Sequence, residues 1–162
     1  MSAATKPQTE IVADPNLPTI RITREFDASP QQVFRAWTDP ELVAQWMGPR
    51  STTTRIDRWD CRTGGNYRYV SVHEGVEYGF YGAFHEVRPD ERLVQTFTFE
   101  DMPDGVALDT TTFEAIDDGR TRITTLSVVE SLEMRDGMIA SGMETGVVEG
   151  YEKLDELLAG PA

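Results

Sequence analysis

The sequence predicts an α+β fold in which a curved seven-stranded antiparallel sheet wraps around a long C-terminal helix, with two short helices after the first strand. Three observations carry this expectation. Between residues 53 and 129 apolar and polar side chains alternate, with a turn signal roughly every 13 to 15 residues. No helix-length segment interrupts that stretch, which excludes parallel strands joined by crossover helices. The last 30 residues then return to a helical period.

Residues 1–18 carry Pro7, Pro15 and Pro18 without an apolar period and read as a flexible leader, followed by a single domain over 19–160. Thr19-Ile20-Arg21-Ile22-Thr23-Arg24-Glu25-Phe26 alternates as a half-buried strand does. Ser29-Pro30-Gln31-Gln32 then signals a helix start. The serine hydroxyl can accept from a first-turn amide, proline fits where its missing N–H costs nothing, and Gln32 can close a capping box. Val33, Phe34 and Trp37 make this helix's apolar face. Asp39-Pro40 repeats the device for a second helix to about Trp46. Strands are expected near 53–60, 66–73, 77–88, 91–100, 107–116 and 120–129, and Asp118-Gly119 suits a tight hairpin turn. Met143, Val147, Tyr151, Leu154 and Leu158 share one face of the final helix, which starts near Ser131 or near Ser141 and ends at Gly160-Pro161. That stripe needs an apolar surface to cover it, and the sheet is the large one available.

Composition narrows the function. Fifteen Lys and Arg against 28 Asp and Glu leave a net charge of −13. A nucleic-acid backbone or an anionic membrane surface is therefore not an expected partner, since either needs clustered basic residues. Cys61 is the single cysteine, so no internal disulfide can form and a reducing compartment fits. The first residues lack the apolar stretch of a signal peptide and no run reaches the length of a membrane span, so a cytoplasmic protein is expected.

Several motifs resemble one family in order. Phe26-Asp27-Ala28-Ser29-Pro30, Val33-Phe34-Arg35-Ala36-Trp37-Thr38-Asp39-Pro40-Glu41-Leu42 and Trp46-Met47-Gly48-Pro49 resemble the opening of the Hsp90 ATPase activator-like family. Asp60-Cys61-Arg62-Thr63-Gly64-Gly65 resembles its D-x-R-x-G-G segment, and Gly82-Ala83-Phe84-His85-Glu86-Val87 with Pro89-Asp90-Glu91-Arg92-Leu93-Val94 resembles the strand pair that follows. Gly119-Arg120-Thr121-Arg122-Ile123-Thr124, Gly142-Met143-Glu144 and Tyr151-Glu152-Lys153-Leu154 are similar to its closing hairpin and helix. The resemblance implies the helix-grip fold of the START-like and Bet v 1-like superfamily. It also implies a choice among small-molecule binders, cochaperone domains that act by protein contact with an Hsp90-type chaperone, and polyketide cyclase-like enzymes. It brings no catalytic motif and no cofactor.

A sheet curled around one helix leaves room for a cavity, and the strands offer an aromatic lining. Tyr67, Tyr69, Ser71 and His73 share one strand face; Phe80 and Phe84 share the next, Phe97 and Phe99 the one after, and Phe113 follows. Trp46, Met143 and Val147 close the expected cavity from the helical side. Rings with a few hydroxyls and an imidazole suit a small apolar or aromatic ligand; the alternative is that the same rings simply fill the core. A homodimer is left open.

His73 is the one candidate acid or base, weak because no partner motif accompanies it; His73 and His85 have no third ligand at metal spacing, so no metal is expected. Asp60 and Arg62 read as anchors of the turn at Gly64-Gly65. Arg50 is placed in the loop after the second helix, near the expected cavity mouth. Gly142, Gly146 and Gly150 form a smooth stripe that permits close packing on the last helix.

Overall fold

A computed structural model describes residues 8–160. Eight antiparallel strands form one sheet: β1 (Glu10–Ala13), β2 (Thr19–Phe26), β3 (Thr53–Trp59), β4 (Asn66–His73), β5 (Val76–Arg88), β6 (Arg92–Phe99), β7 (Ala107–Ala115) and β8 (Thr121–Val128). Their order is β1-β2-β8-β7-β6-β5-β4-β3. After β2 the chain leaves the sheet, forms α1 (Pro30–Thr38) and α2 (Pro40–Trp46), and returns at the far edge as β3. The remaining strands then fold back as a meander until β8 pairs with β2.

The strand count is thus eight, not seven. Glu10–Ala13, within the stretch read as leader, pairs with β2 as an edge strand, Ile11 opposite Ile22. Four residues are too few to show a period, which hid it. Residues 1–7 of that leader lie outside the described residues. The C-terminal helix is also two helices. Ser131 caps α3 (Leu132–Ala140) by accepting from the Met134 N–H, and α4 (Met143–Ala159) follows Gly142, whose φ of +89° breaks the helix. Both starting points read from the sequence are real boundaries.

The early helices form as their caps dictate. The Ser29 hydroxyl accepts from the Gln32 N–H at 3.2 Å while the Gln32 carbonyl accepts from the Ser29 N–H at 3.0 Å. Asp39 accepts from the Glu41 N–H at 3.0 Å to start α2. Hairpins turn where Glu74 and Asp118 adopt positive φ beside Gly75 and Gly119, the geometry that matches strand twist. Register shifts between Ile56 and Arg58 and between Phe84 and Glu86 bend the sheet's β3–β6 half.

Two pins set the helices against the sheet. Buried Arg24 on β2 forms an ion pair with Asp155 of α4 and lies over the Phe26 ring at 4.8 Å. Buried Arg135 of α3 donates to the Asp14, Leu17 and Thr19 carbonyls at 2.8–2.9 Å, tying α3 to the loop between β1 and β2. The glycine stripe faces the α2 end. A Cβ on Gly150 would stand 3.1 Å from the Trp46 carbonyl oxygen, and one on Gly146 would stand 3.5 Å from Pro49.

Candidate functional site

Alternation assigns the concave face. Along β7, Ala107, Asp109, Thr111 and Phe113 point one way; across the register they meet Gln95 and Phe97 on β6, and Ile123, Thr125 and Ser127 on β8. β4 and β5 continue this face with Tyr67, Tyr69, Phe80 and Phe84. Its aromatic side chains fall into two groups with different surroundings.

The first group is buried except for Trp37, which is half-buried. Phe26, Phe34, Trp37, Trp46, Phe113 and Tyr151 meet edge to face or tilted, with centroids 4.7–6.2 Å apart, and join α1, α2 and α4 to β2 and β7. Trp46 donates to the Ala36 carbonyl at 2.9 Å. Trp46 and Phe113 therefore act here as core, joined through Trp37.

The second group is a stacked ladder across β4, β5 and β6. Tyr67 and Tyr69 lie 6.2 Å apart with planes 12° from parallel. Tyr69 stacks on Phe80 at 5.1 Å and 23°. Phe80 stacks in turn on Phe97 at 5.3 Å and 22° and on Phe99 at 5.1 Å and 26°. Phe84 closes the inner end, tilted against Tyr67 at 5.1 Å. Aromatic pairs in proteins often meet edge to face, so the near-parallel stacking from Tyr67 to Phe99 sets these rings apart from the first group. Tyr67, Tyr69 and Phe84 are buried, whereas Phe80, Phe97 and Phe99 keep part of their surface accessible. Met143 and Val147 of α4, also half-buried, pack against the core cluster.

Beside the ladder lies a polar strip that sequence reasoning missed. Asp109 stands between Gln95 on β6 and Ser127 on β8. Its Oδ1 is buried without a hydrogen-bond partner, although the residue as a whole is only half-buried. Burial pushes its carboxyl up to about 6, with the Ser127 hydroxyl pulling the other way. Thr111 and Thr125 share a hydrogen bond of 2.9 Å between their hydroxyls. The Tyr67 phenol donates to the Thr96 carbonyl at 2.6 Å. Burial raises the Tyr67, Tyr69 and Tyr151 phenols well above their ordinary range, so all three are neutral donors at physiological pH. The missed signal was present: Asp109 is four residues before Phe113 and so shares its strand face.

The other expected site residues lie apart. His73 is at the opposite end of β4, paired with Val76 beside the hairpin, with Nδ1 3.1 Å from the Ser51 carbonyl and half of its side chain exposed. Ser71, opposite Tyr78, is half-buried near that rim. Arg50 is engaged with α4: its guanidinium meets Glu156 at 2.6 Å and its backbone N–H donates to Glu149 at 3.0 Å. Arg62 grips both Asp60 oxygens at 3.0 Å, in line with the anchoring role read for them. Burial raises the Cys61 thiol to about 11, which keeps it protonated and unreactive. Among the described residues no three His, Cys, Asp or Glu side chains gather as a metal site. Nor is any helix among them long and apolar enough to cross a membrane. Two surface grooves, of about 290 and 220 Å³, lie along the β1–β2–β8 edge rather than at the ladder.

A curved antiparallel sheet gripping a C-terminal helix, with rings and a few polar groups on its concave face, is the helix-grip α+β class. Residues 27–159 match the family described as Activator of Hsp90 ATPase homolog 1-like protein, and the chain belongs to that family. The fold is similar to the solution structure of an Arthrobacter aurescens protein, at 28% identity and a TM-score of 0.86, covering 94% of this chain and 92% of that one. A Rhodobacter sphaeroides crystal structure matches at 28% identity and TM-score 0.83, covering 93% and 97%. A Mycobacterium smegmatis protein at 24% identity shares the fold, with TM-score 0.85 over 97% and 99% of the two chains. No curated protein matches the chain.

Proposed function

We propose that this chain binds a small, mostly apolar molecule on the concave face, against the ring ladder and beneath α4. The observation that carries this reading is the accessible part of Phe80, Phe97 and Phe99, stacked near-parallel on the concave face. Partly accessible rings favour an apolar ligand, and the neighbouring phenols and carboxyl would orient it. The family's own description names an activator of a chaperone ATPase; for this chain a ladder facing inward favours a small ligand over a protein surface.

Titration with the neutral fluorescent probe N-phenyl-1-naphthylamine tests it. Saturable enhancement that is displaced by other apolar compounds, and weakened at least tenfold in Phe80→Ala, is the expected result. Absence of saturable binding by the unsubstituted chain would overturn the reading.

A further inference from the structure

The concave face carries one carboxyl that no side chain neutralises. Among the described residues no Arg, Lys or His forms an ion pair with Asp109, and its Oδ1 is buried without a hydrogen-bond partner. Arg24, a cation on the same face, is already committed to Asp155 and to the Glu25 carbonyl at 2.7 Å. Neighbouring hydroxyls are engaged as well, Thr111 with Thr125 and Tyr67 with the Thr96 carbonyl. Desolvating a carboxyl without pairing it is costly, and buried polar groups in folded proteins nearly always have partners. A molecule bound on the concave face would supply that partner.

We propose that the site takes an aromatic or otherwise apolar molecule carrying one protonated amine, which the Asp109 carboxylate holds while the ring ladder stacks the apolar part. This rests on the ligand-binding reading above and names its substrate class. Two physical arguments select a cation. An anionic or purely hydrocarbon ligand leaves Oδ1 unpaired, whereas an ammonium donates to it in a charge-assisted bond. A chain with net charge −13 also concentrates cationic solutes around itself.

Paired probes test the assignment on the full chain at pH 7.5: 2-(1-naphthyl)ethylamine, protonated there, and 2-(1-naphthyl)ethanol, its neutral counterpart. Each displaces N-phenyl-1-naphthylamine from the unsubstituted chain, from Asp109→Asn and from Asp109→Ser. The amine should bind the unsubstituted chain at least tenfold more tightly than the alcohol, and that preference should fall to about twofold or less in both variants. The second variant guards against one that fails to fold. Equal affinity for the two probes, or a preference that survives both substitutions, would overturn the proposal and leave the ligand-binding reading standing. Failure of the unsubstituted chain to bind the reporter would remove both.

Discussion

Asp109 on β7 stands directly across from Ser127 on β8, and that hydroxyl is what offsets the cost of burying the carboxyl. The offset is partial, since the carboxyl still titrates near 6 against an ordinary value of 3.8. Between about pH 4 and 6 the folded chain therefore holds a proton that the unfolded chain has released, and unfolding free energy falls as pH rises through that window. The full penalty, about 3 kcal/mol above pH 7, follows from 1.36 kcal/mol per pK unit.

Asp109→Asn removes the charge and should stabilise the protein at pH 8 by about 1–2 kcal/mol, because the amide is still desolvated. At pH 4.5, where the native carboxyl is already neutral, the gain should vanish. Thermal melts at the two pH values check this; equal melting temperatures for both chains at pH 8 would contradict it.

The ion pair between Arg24 and Asp155 gives a second expectation. Arg24's side chain is 2% exposed and Asp155's 38%, so Asp155→Ala strands a buried guanidinium at a cost of roughly 2–3 kcal/mol, somewhat below the value for a fully buried pair. Replacing both partners, as Arg24→Met with Asp155→Leu, should recover most of that loss in urea denaturation. A double variant no more stable than Asp155→Ala would show that the guanidinium serves another contact.

Two glycines separate close packing from mere flexibility. A Cβ on Gly65 would lie 1.9 Å from the Asp60 backbone oxygen, so Gly65→Ala should cost more than 3 kcal/mol or prevent folding. A Cβ on Gly137 meets nothing within 4 Å, and Gly137→Ala in α3 should stabilise by about 0.5–1 kcal/mol through helix propensity. Chemical denaturation midpoints of the two variants should move in opposite directions.

His73 supplies a contrast with Phe80. It sits at the rim of the β4–β5 hairpin, at the opposite end of β4 from Tyr67, so His73→Ala should change probe affinity by less than twofold. Phe80→Ala removes the ring shared by three stacked pairs, and should cost about 2 kcal/mol of stability besides binding. A tenfold loss in His73→Ala would relocate the site.

Much of the fold is legible in the sequence because its signals are local. Ser29-Pro30 and Asp39-Pro40 announce two helix starts whose caps form as read, and the turns at Gly75 and Gly119 fall between alternating runs. β1 escaped because its four residues gain their meaning only from pairing with β2. The break at Gly142 showed in the sequence only as a choice between a start near Ser131 and one near Ser141, because it is a backbone conformation rather than a pattern. Ring identities on β4–β6 were readable from alternation, but their division into a buried core and a stacked ladder depends on where α1 and α2 land. Asp109 lay in phase with Phe113 all along; a single carboxyl among threonines reads as a solvated strand position until the sheet is curled over it.

The most direct test of the central claim is where an apolar molecule sits. Aromatic ¹³C–¹H spectra recorded with increasing N-phenyl-1-naphthylamine should show the largest shifts at Tyr69, Phe80, Phe97 and Phe99, with methyl shifts at Met143 and Val147. Shifts confined to Val12, Leu17 and Leu126, which line the groove at the β1–β2–β8 edge, or no shifts at all, would contradict the account.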